Sequence, residues 1–277
     1  MIEFFTAPFA LPMMQHALIA ALLAALGCAS IGTYVVLRRM AFFGDALAHS
    51  VLPGLVIAVL LQIHMMIGAL VAGLFTALGV GAISRRGELH EDSAIGILFT
   101  AMFALGLALA DRMPPGSPDL THMLVGNLLM VRQSDLLAMG ASTIVVLIVL
   151  AIAHKELVLT TCDPLYASSI GLQPHRVRYV LLLTLALTVV TAIQAVGVVL
   201  TSALMITPPA TARLLTRRLP LMIALSVGSA LLSCLIGLYL SVYARTATSA
   251  SIILASTALF LVALIGQRVV RARRRTA

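Results

Sequence analysis

Long, uninterrupted runs of apolar residues follow one another along almost all of this 277-residue chain. They lie near 13–36, 44–62, 66–84, 93–111, 137–154, 177–195, 197–212, 220–243 and 248–267. Most approach the ~20 residues that an α-helix needs to cross a bilayer, and they lack the alternation of membrane β-strands. Only 10% of the residues are charged, too few to cover a soluble globule of this size. The sequence therefore predicts an all-α, polytopic transmembrane helix bundle.

The number of spans is about eight or nine, because the run at 197–212 leaves two alternatives open. This run is short and ends in Thr207-Pro208-Pro209, and proline removes hydrogen bonds from a helix interior. It forms either a separate span or a broken helix. With either alternative, residues 1–277 make a single transmembrane domain without a linker.

The basic residues indicate the orientation of the chain. They cluster in alternate connections, at Arg38 with Arg39, Arg85 with Arg86, Lys155 to Arg178, Arg213 to Arg218, and Arg268 to Arg275. Cytosolic loops of membrane proteins carry such an excess, and only three of the eighteen Lys and Arg residues fall on the other side. The net charge of +8 therefore indicates topology and not nucleic-acid binding. We expect the amino end outside and the carboxyl end in the cytosol.

Asp45 and His49 are the principal candidates for a functional site. Of the ten acidic residues, only Asp45 falls inside a predicted crossing, where ionisable groups usually face a bundle interior or an aqueous path. A spacing of four places Asp45 and His49 on one helix face, and their ligand types suit manganese, iron or zinc. Because two ligands hold such an ion poorly, a symmetric dimer would complete the site with two of each.

Asp45 has an alternative role as a cap at the start of the second span. That role leaves His49, one turn further along, and the Pro53-Gly54 break unexplained. Asp119 and His122 are secondary candidates, which would contact metal on entry if their outer segment forms a re-entrant turn.

Motifs of hydrolytic enzymes are missing from the sequence. Lys155 is the only lysine and precedes Glu156, so the chain has no P-loop for ATP. It has no HExxH motif either, since Ala94 stands where the second histidine would be. We therefore do not expect hydrolytic activity, and the missing motifs disfavour a membrane enzyme.

Two of the apolar runs carry small residues at every fourth position, which lets helices approach closely in lipid. These residues are Ala17, Ala21, Ala25 and Ala29 in the first run and Ala69, Gly73, Ala77 and Gly81 in the third. We expect both ridges to be packing surfaces.

Four segments give the chain its resemblance to a known family. They are Arg38–Met40 with Gly44–Gly54, Glu91–Thr100, Gly126–Leu129, and Ala203–Thr216. The chain resembles, from about residue 10 to 267, the membrane permease of the manganese, zinc and iron ABC importer family. The resemblance implies a type II ABC importer-like permease in the bacterial plasma (inner) membrane, with the metal ion as substrate and no permanently bound cofactor. It links Asp45 and His49 to the metal path.

The resemblance also implies partners for this chain. They are a second permease in a homodimer, a cytosolic ATP-binding subunit, an extracytoplasmic metal-binding protein and the lipid bilayer, with no nucleic acid. Residues 163–171 resemble the coupling helix that docks in a cleft of the ATPase. A helix capped by Asp163, with Pro164 in its first turn and Gly171 as its stop, fits these residues, as does an ordinary interfacial helix. We expect a larger side chain at Ala167 or Gly171 to obstruct docking.

A stand-alone secondary transporter is the alternative function. In such a transporter, Asp45 would form a proton-coupled site. Dependence on a partner ATPase distinguishes the two functions.

The predicted orientation can be tested with an impermeant thiol reagent. A cysteine placed at Ser117 should be labelled in intact cells, whereas one placed at Thr276 should be protected, because the first lies outside and the second in the cytosol. The opposite labelling pattern would show that the chain is inverted and that residues 163–171 face away from any cytosolic ATPase.

Overall fold

The computed structural model describes residues 12–84, 91–114 and 128–276, without the side chains of 129 and 270–276. Asp119 and His122 therefore lie outside the described residues. The described ranges contain helices and no strand. The α-helices, numbered here in chain order, are α1 (Pro12–Leu37), α2 (Phe43–Ser50), α3 (Leu52–Leu60), α4 (Met65–Ile83), α5 (Glu91–Ala110), α6 (Gln133–Ile152), α7 (His154–Cys162), α8 (Pro164–Ser169), α9 (Pro174–Val196), α10 (Val198–Leu215), α11 (Leu219–Ala244) and α12 (Thr248–Thr276).

Within these ranges, nine helical segments are long and apolar enough to cross a membrane. They are α1, the α2–α3 pair, α4, α5, α6, α9, α10, α11 and α12. The prediction of an all-α, polytopic transmembrane bundle is confirmed, with the higher of the two span counts.

Prolines affect the α2–α3 span and the α10 span differently. Helix α10 is continuous through Pro208 and Pro209, so the alternative of a broken helix at this place is wrong. Both prolines are buried, in the setting where neighbouring helices let a membrane span accommodate proline. The interruption lies instead at Val51, between α2 and α3, and Pro53 follows in the first turn of α3. Proline is tolerated there because the first amides of a helix have no intrahelical partner.

Both ridges of small residues are buried, as expected from their spacing. Helix α1 packs against α6, α9, α10 and α11 and so lies near the centre of the bundle. At Gly32 of α1, a Cβ would meet the backbone of Met205 in α10. Small side chains therefore bring the central helices into contact, as packing in lipid requires.

A pair of glycines brings α3 and α4 together. A Cβ built on Gly54 would meet the carbonyl oxygen of Gly68, and a Cβ on Gly68 would meet the carbonyl oxygen of Gly54. The two helices form a hairpin whose turn ends at His64, where the Nδ1 atom accepts a hydrogen bond of 3.3 Å from the amide of Met66.

Helix α5 lies at the edge of the bundle. It packs mainly against α2, α3 and α4. Only Ala94, Ile95 and Gly106 among its residues are buried. One side of α5 thus contacts the bundle and the rest of its surface is open.

The Gly54–Gly68 contact predicts a strong effect of one methyl group. Gly54→Ala should lower the stability of the purified protein by about 1–3 kcal/mol, because the added Cβ meets backbone atoms that cannot rotate away. The matched control is Gly140→Ala, since a Cβ at Gly140 has open space around it and alanine favours a helix. Heating in detergent followed by size-exclusion chromatography measures the heat resistance of both variants. Equal heat resistance of the two variants would contradict the close approach.

Candidate metal site

The turn between α1 and α2 places Asp45 at the start of a membrane span. Arg39 adopts a positive φ of 61° in this turn, and α2 then begins at Phe43. Asp45 therefore lies in the first turn of α2, where the helix dipole favours a negative charge. Gly44 lets α2 approach α10, because a Cβ there would meet the Cε atom of Met205. Two of the segments that carry the family resemblance are thus in direct contact.

The structure brings Asp45 and His49 together, as their spacing predicts. The Nε2 atom of His49 lies 4.0 Å from Oδ1 of Asp45, which is too long for a hydrogen bond. Two bonds of roughly 2.1 Å at a tetrahedral angle separate a nitrogen and an oxygen donor by about 3.4 Å, so a small rotation of either side chain would bring the two donors to the distance that one ion requires. The side chain of His49 is 32% exposed and that of Asp45 is 52% exposed, so both are accessible to an ion. The pair can hold an ion between its two donor atoms.

Aromatic rings of α5 surround the imidazole of His49. Its ring centroid lies 5.8 Å from that of Phe99 and 5.6 Å from that of Phe103, and the two phenylalanine rings stack on each other at 6.0 Å. The Nδ1 atom is buried without a hydrogen-bond partner among the described residues. The nitrogen available to an ion is therefore Nε2, on the side that faces Asp45.

Asp45 opens into a cleft of about 440 Å³ between α2 and α5. The cleft is lined by Phe42, Asp45, Ala46, Asp92, Ile95, Gly96 and Phe99. Asp92 is a residue that the sequence analysis missed, because the predicted span began at 93 whereas α5 begins at Glu91. The acidic pair Glu91-Asp92 directly before an apolar run was the available signal. The described residues contain no group of three or more His, Cys, Asp or Glu arranged to hold a metal ion.

Asp45 is not distinguished by its depth in the membrane. The first turns of the membrane-spanning helices α5 and α6 also carry acids, so the expectation that only Asp45 lies within a span is wrong. Asp135 caps α6 by accepting a hydrogen bond of 3.0 Å from the amide of Arg132. No side-chain hydrogen bond caps α2, so the capping role considered for Asp45 has no counterpart in the structure. The neighbouring His49 is what sets Asp45 apart.

The segment that resembles a coupling helix forms the short helix α8. Asp163 precedes it and accepts a hydrogen bond of 2.9 Å from the amide of Tyr166, and Pro164 is its first residue. Gly171 follows with a positive φ of 85°. The cap and the stop therefore form as the residues predict.

Ala167 and the apolar residues of α8 face in different directions. Ala167 is fully buried against its own chain, so a larger side chain there would also disturb the packing of α8. The exposed apolar side chains are those of Leu165, which is 82% exposed, and of Tyr166 and Ile170. They form an exposed apolar surface on α8 and the residue that follows it.

Polar contacts attach α7, which leads into α8, to the end of α1. Arg38 donates hydrogen bonds from Nε to the hydroxyl of Thr161, at 3.0 Å, and from Nη2 to that of Thr160, at 2.9 Å. Burial lowers the pKa of the Arg38 guanidinium, and the nearby carboxylate of Glu91 opposes that shift. The hydroxyl of Tyr34 and the Nδ1 atom of His154 share a hydrogen bond of 2.8 Å.

Comparisons with known proteins agree with this architecture. The manganese transport system membrane protein MntC of Halalkalibacterium halodurans is 44% identical over 250 residues, which cover 90% of this chain and 86% of that protein. The chelated iron transport system membrane protein YfeD of Yersinia pestis is 36% identical and covers 93% of this chain and 86% of its own. A solved structure, PsaBC from Streptococcus pneumoniae in complex with Fab, superimposes with a TM-score of 0.82 at 34% identity over 95% of each chain.

One protein-family model matches nearly the whole chain. The model of the ABC 3 transport family matches residues 10–267, which include the Asp45–His49 pair, the cleft beside it and α8. With this match and its close relatives, the chain belongs to the ABC 3 transport family.

Proposed function

We propose that this chain is the pore-forming subunit of an ATP-driven importer of divalent transition metal ions, with manganese, iron or zinc as the substrate. The observation that carries the proposal is the Asp45–His49 pair, whose donor atoms lie 4.0 Å apart beside an open cleft. The names of the relatives support manganese and iron, since MntC is a manganese and YfeD a chelated iron transport protein. Zinc is included because carboxylate and imidazole ligands suit it equally.

The proposed site is completed by a second copy of the chain. Asp45 is half exposed at the surface of one copy, at the start of a membrane span, where an uncompensated carboxylate is unfavourable. A symmetric homodimer that places two such pairs together would supply four ligands, the usual number for a transition-metal ion. A site shared between two subunits can hold the ion transiently and release it when the subunits move.

ATP hydrolysis belongs to a separate cytosolic subunit in this proposal. The chain has one lysine and no P-loop, so it is a transport subunit and not an enzyme. Helix α8 supplies the docking surface, because exposed apolar side chains on a loop segment favour contact with a partner. An extracytoplasmic metal-binding protein would deliver the ion to the opposite side of the bacterial plasma membrane, with the carboxyl end of the permease in the cytosol.

The family membership favours this function over a stand-alone, proton-coupled transporter. The relatives are named as membrane proteins of transport systems, which is what a multi-subunit importer requires. An ATPase partner would also cover the exposed apolar side chains of α8.

The metal site is tested by removing the charge of Asp45. Asp45→Asn keeps the size and one oxygen acceptor but removes the charge that offsets the ion, and His49→Ala removes the second donor. Each should lower uptake of Mn²⁺ by more than the roughly 10-fold to 100-fold that loss of an outer-shell partner costs. Asp111→Asn, at an exposed position after α5, is the control for loss of a carboxylate. Uptake by cells that produce the permease and its ATPase measures the effect, and undiminished uptake by Asp45→Asn would disprove the metal site.

The docking surface is tested at the most exposed side chain of α8. Leu165→Arg should weaken binding of the ATPase by on the order of 2 kcal/mol, because it places a charge in an apolar contact. Leu165→Met, which keeps the volume and the apolar character, should bind normally. Co-purification of the ATPase with each variant gives the comparison. Equal recovery with arginine and methionine would show that α8 is not the docking surface.

A further inference from the structure

An ion pair joins the metal-site cleft to the segment that follows α8. Glu91 is the first residue of α5, and Asp92, the next residue, lines the Asp45 cleft. The Oε1 atom of Glu91 lies 3.1 Å from Nε of Arg178 in α9. The Nη2 atom of Arg178 also donates a hydrogen bond to the hydroxyl of Ser84, at the end of α4. One guanidinium therefore holds the ends of α4, α5 and α9 together.

Each residue of this ion pair belongs to a helix that contacts one of the proposed functional elements. On one side, α5 carries Phe99 and Phe103, which contact His49. On the other side, α9 begins at Pro174, just after Gly171, and packs against α7 and α8. A displacement of α8 is thus passed to α9 and, through Arg178, to the first turn of α5.

The ion pair is an effective point of control because α5 has few other attachments. Helix α5 packs mainly on α2, α3 and α4 and buries only Ala94, Ile95 and Gly106. A helix with few buried contacts moves more readily than the central helices. The ion pair of Glu91 with Arg178 joins the first residue of α5 to α9 and so can influence the position of α5.

The surroundings of the ion pair leave space for movement. Glu91 and Arg178 line a cleft of about 380 Å³, together with Arg38 and the hydroxyls of Ser84, Thr160 and Thr161. Glu91 is the only carboxylate among its described lining residues, whereas Arg38 and Arg178 are both cations. When α9 shifts, Glu91 still has Arg38 within the same cleft, so its charge is not left uncompensated.

We propose that the Glu91–Arg178 ion pair is a positioning link through which the ATPase-docking segment opens and closes the inner side of the Asp45 cleft. This proposal rests on the proposed function and names how the same site is controlled. Asp45 and His49 bind the ion on α2, and the link moves α5, whose Asp92, Ile95 and Phe99 form the facing wall of the cleft. Glu91 and Arg178 touch no substrate in this scheme; they transmit movement.

The first test distinguishes a loss of coupling between ATP hydrolysis and transport from a loss of Mn²⁺ binding or of ATP hydrolysis itself. In proteoliposomes with the permease–ATPase complex, Arg178→Gln and Glu91→Gln should each lower ATP-dependent Mn²⁺ uptake by about tenfold, a common size for coupling between sites. ATP hydrolysis and Mn²⁺ binding by the purified complex should stay within about twofold of the unmodified protein. The exchanged pair, Glu91→Arg with Arg178→Glu, should restore uptake because it restores the attraction. Arg176→Gln, at an exposed position on the same helix, is the matched control and should transport normally.

The second test observes the cleft directly and does not depend on transport. Gly96 lines the Asp45 cleft, and a Cβ there meets no other atom, so Gly96→Cys is a suitable probe. The exposed Cys162 is first replaced in a Cys162→Ser background. We expect a non-hydrolysable ATP analogue to change the rate at which a thiol reagent labels Gly96→Cys, and we expect Arg178→Gln to abolish that change.

The outcomes distinguish the link from the proposed function. If the unmodified complex shows no ATP-dependent uptake of Mn²⁺, Fe²⁺ or Zn²⁺, the proposed function fails, and the labelling experiment still decides whether the link exists. If uptake is normal and Arg178→Gln behaves as Arg176→Gln does, the link is wrong. It is also wrong if the exchanged pair fails to restore uptake or if labelling stays responsive to nucleotide in Arg178→Gln. Should Arg178→Gln prove unstable, Arg178→Lys, which keeps the charge, should retain most of the uptake.

Discussion

The arrangement of this protein depends on one constraint, that a chain inside a bilayer must satisfy its backbone hydrogen bonds by itself. The chain meets it with helices, and the prolines of α10 are accommodated where both are buried against neighbouring helices. The same constraint makes ionisable groups unfavourable in mid-span. Asp45, Glu91 and Arg178 accordingly lie in the first turns or near the starts of their helices. Because these helices enter the membrane from one end of the bundle, their charges gather there.

Because the charges lie at one end, the proposed metal ligands are near α8, the segment proposed to receive the force of ATP hydrolysis. The Asp45 cleft and the cleft that contains Arg38 both include residues from the first turn of α5. The connection between them is therefore short and needs no signal through the middle of the bundle. The break at Val51 helps, since it separates the helix that carries Asp45 and His49 from the hairpin that Gly54 fixes on α4.

Local patterns predict much of this structure, and contacts between distant residues explain the rest. Apolar runs of sufficient length predict spans because bilayer thickness sets the length of a helix, and the spacing of Asp45 and His49 predicts their common face. Pro208 and Pro209 were ambiguous because their effect depends on the helices around α10. The burial of Ala167 and the pairing of Glu91 with Arg178 depend on how remote helices pack, which no local pattern records. Asp92 was missed because a helix can begin a turn before its apolar run.

The two walls of the metal-site cleft differ in how firmly they are held, and this difference suits transport. Helix α2, which carries the proposed ligands Asp45 and His49, is held by the buried Phe43 and by the approach of Gly44 to α10. Helix α5, which faces it, buries three residues and begins at the Glu91–Arg178 ion pair beside an open cleft. A transported ion has to be bound with a defined geometry and then released. A rigid site that binds the ion well would also retain it. In the proposed mechanism the ligands stay in place on α2 while α5 shifts as the barrier, so the site can bind the ion and then release it.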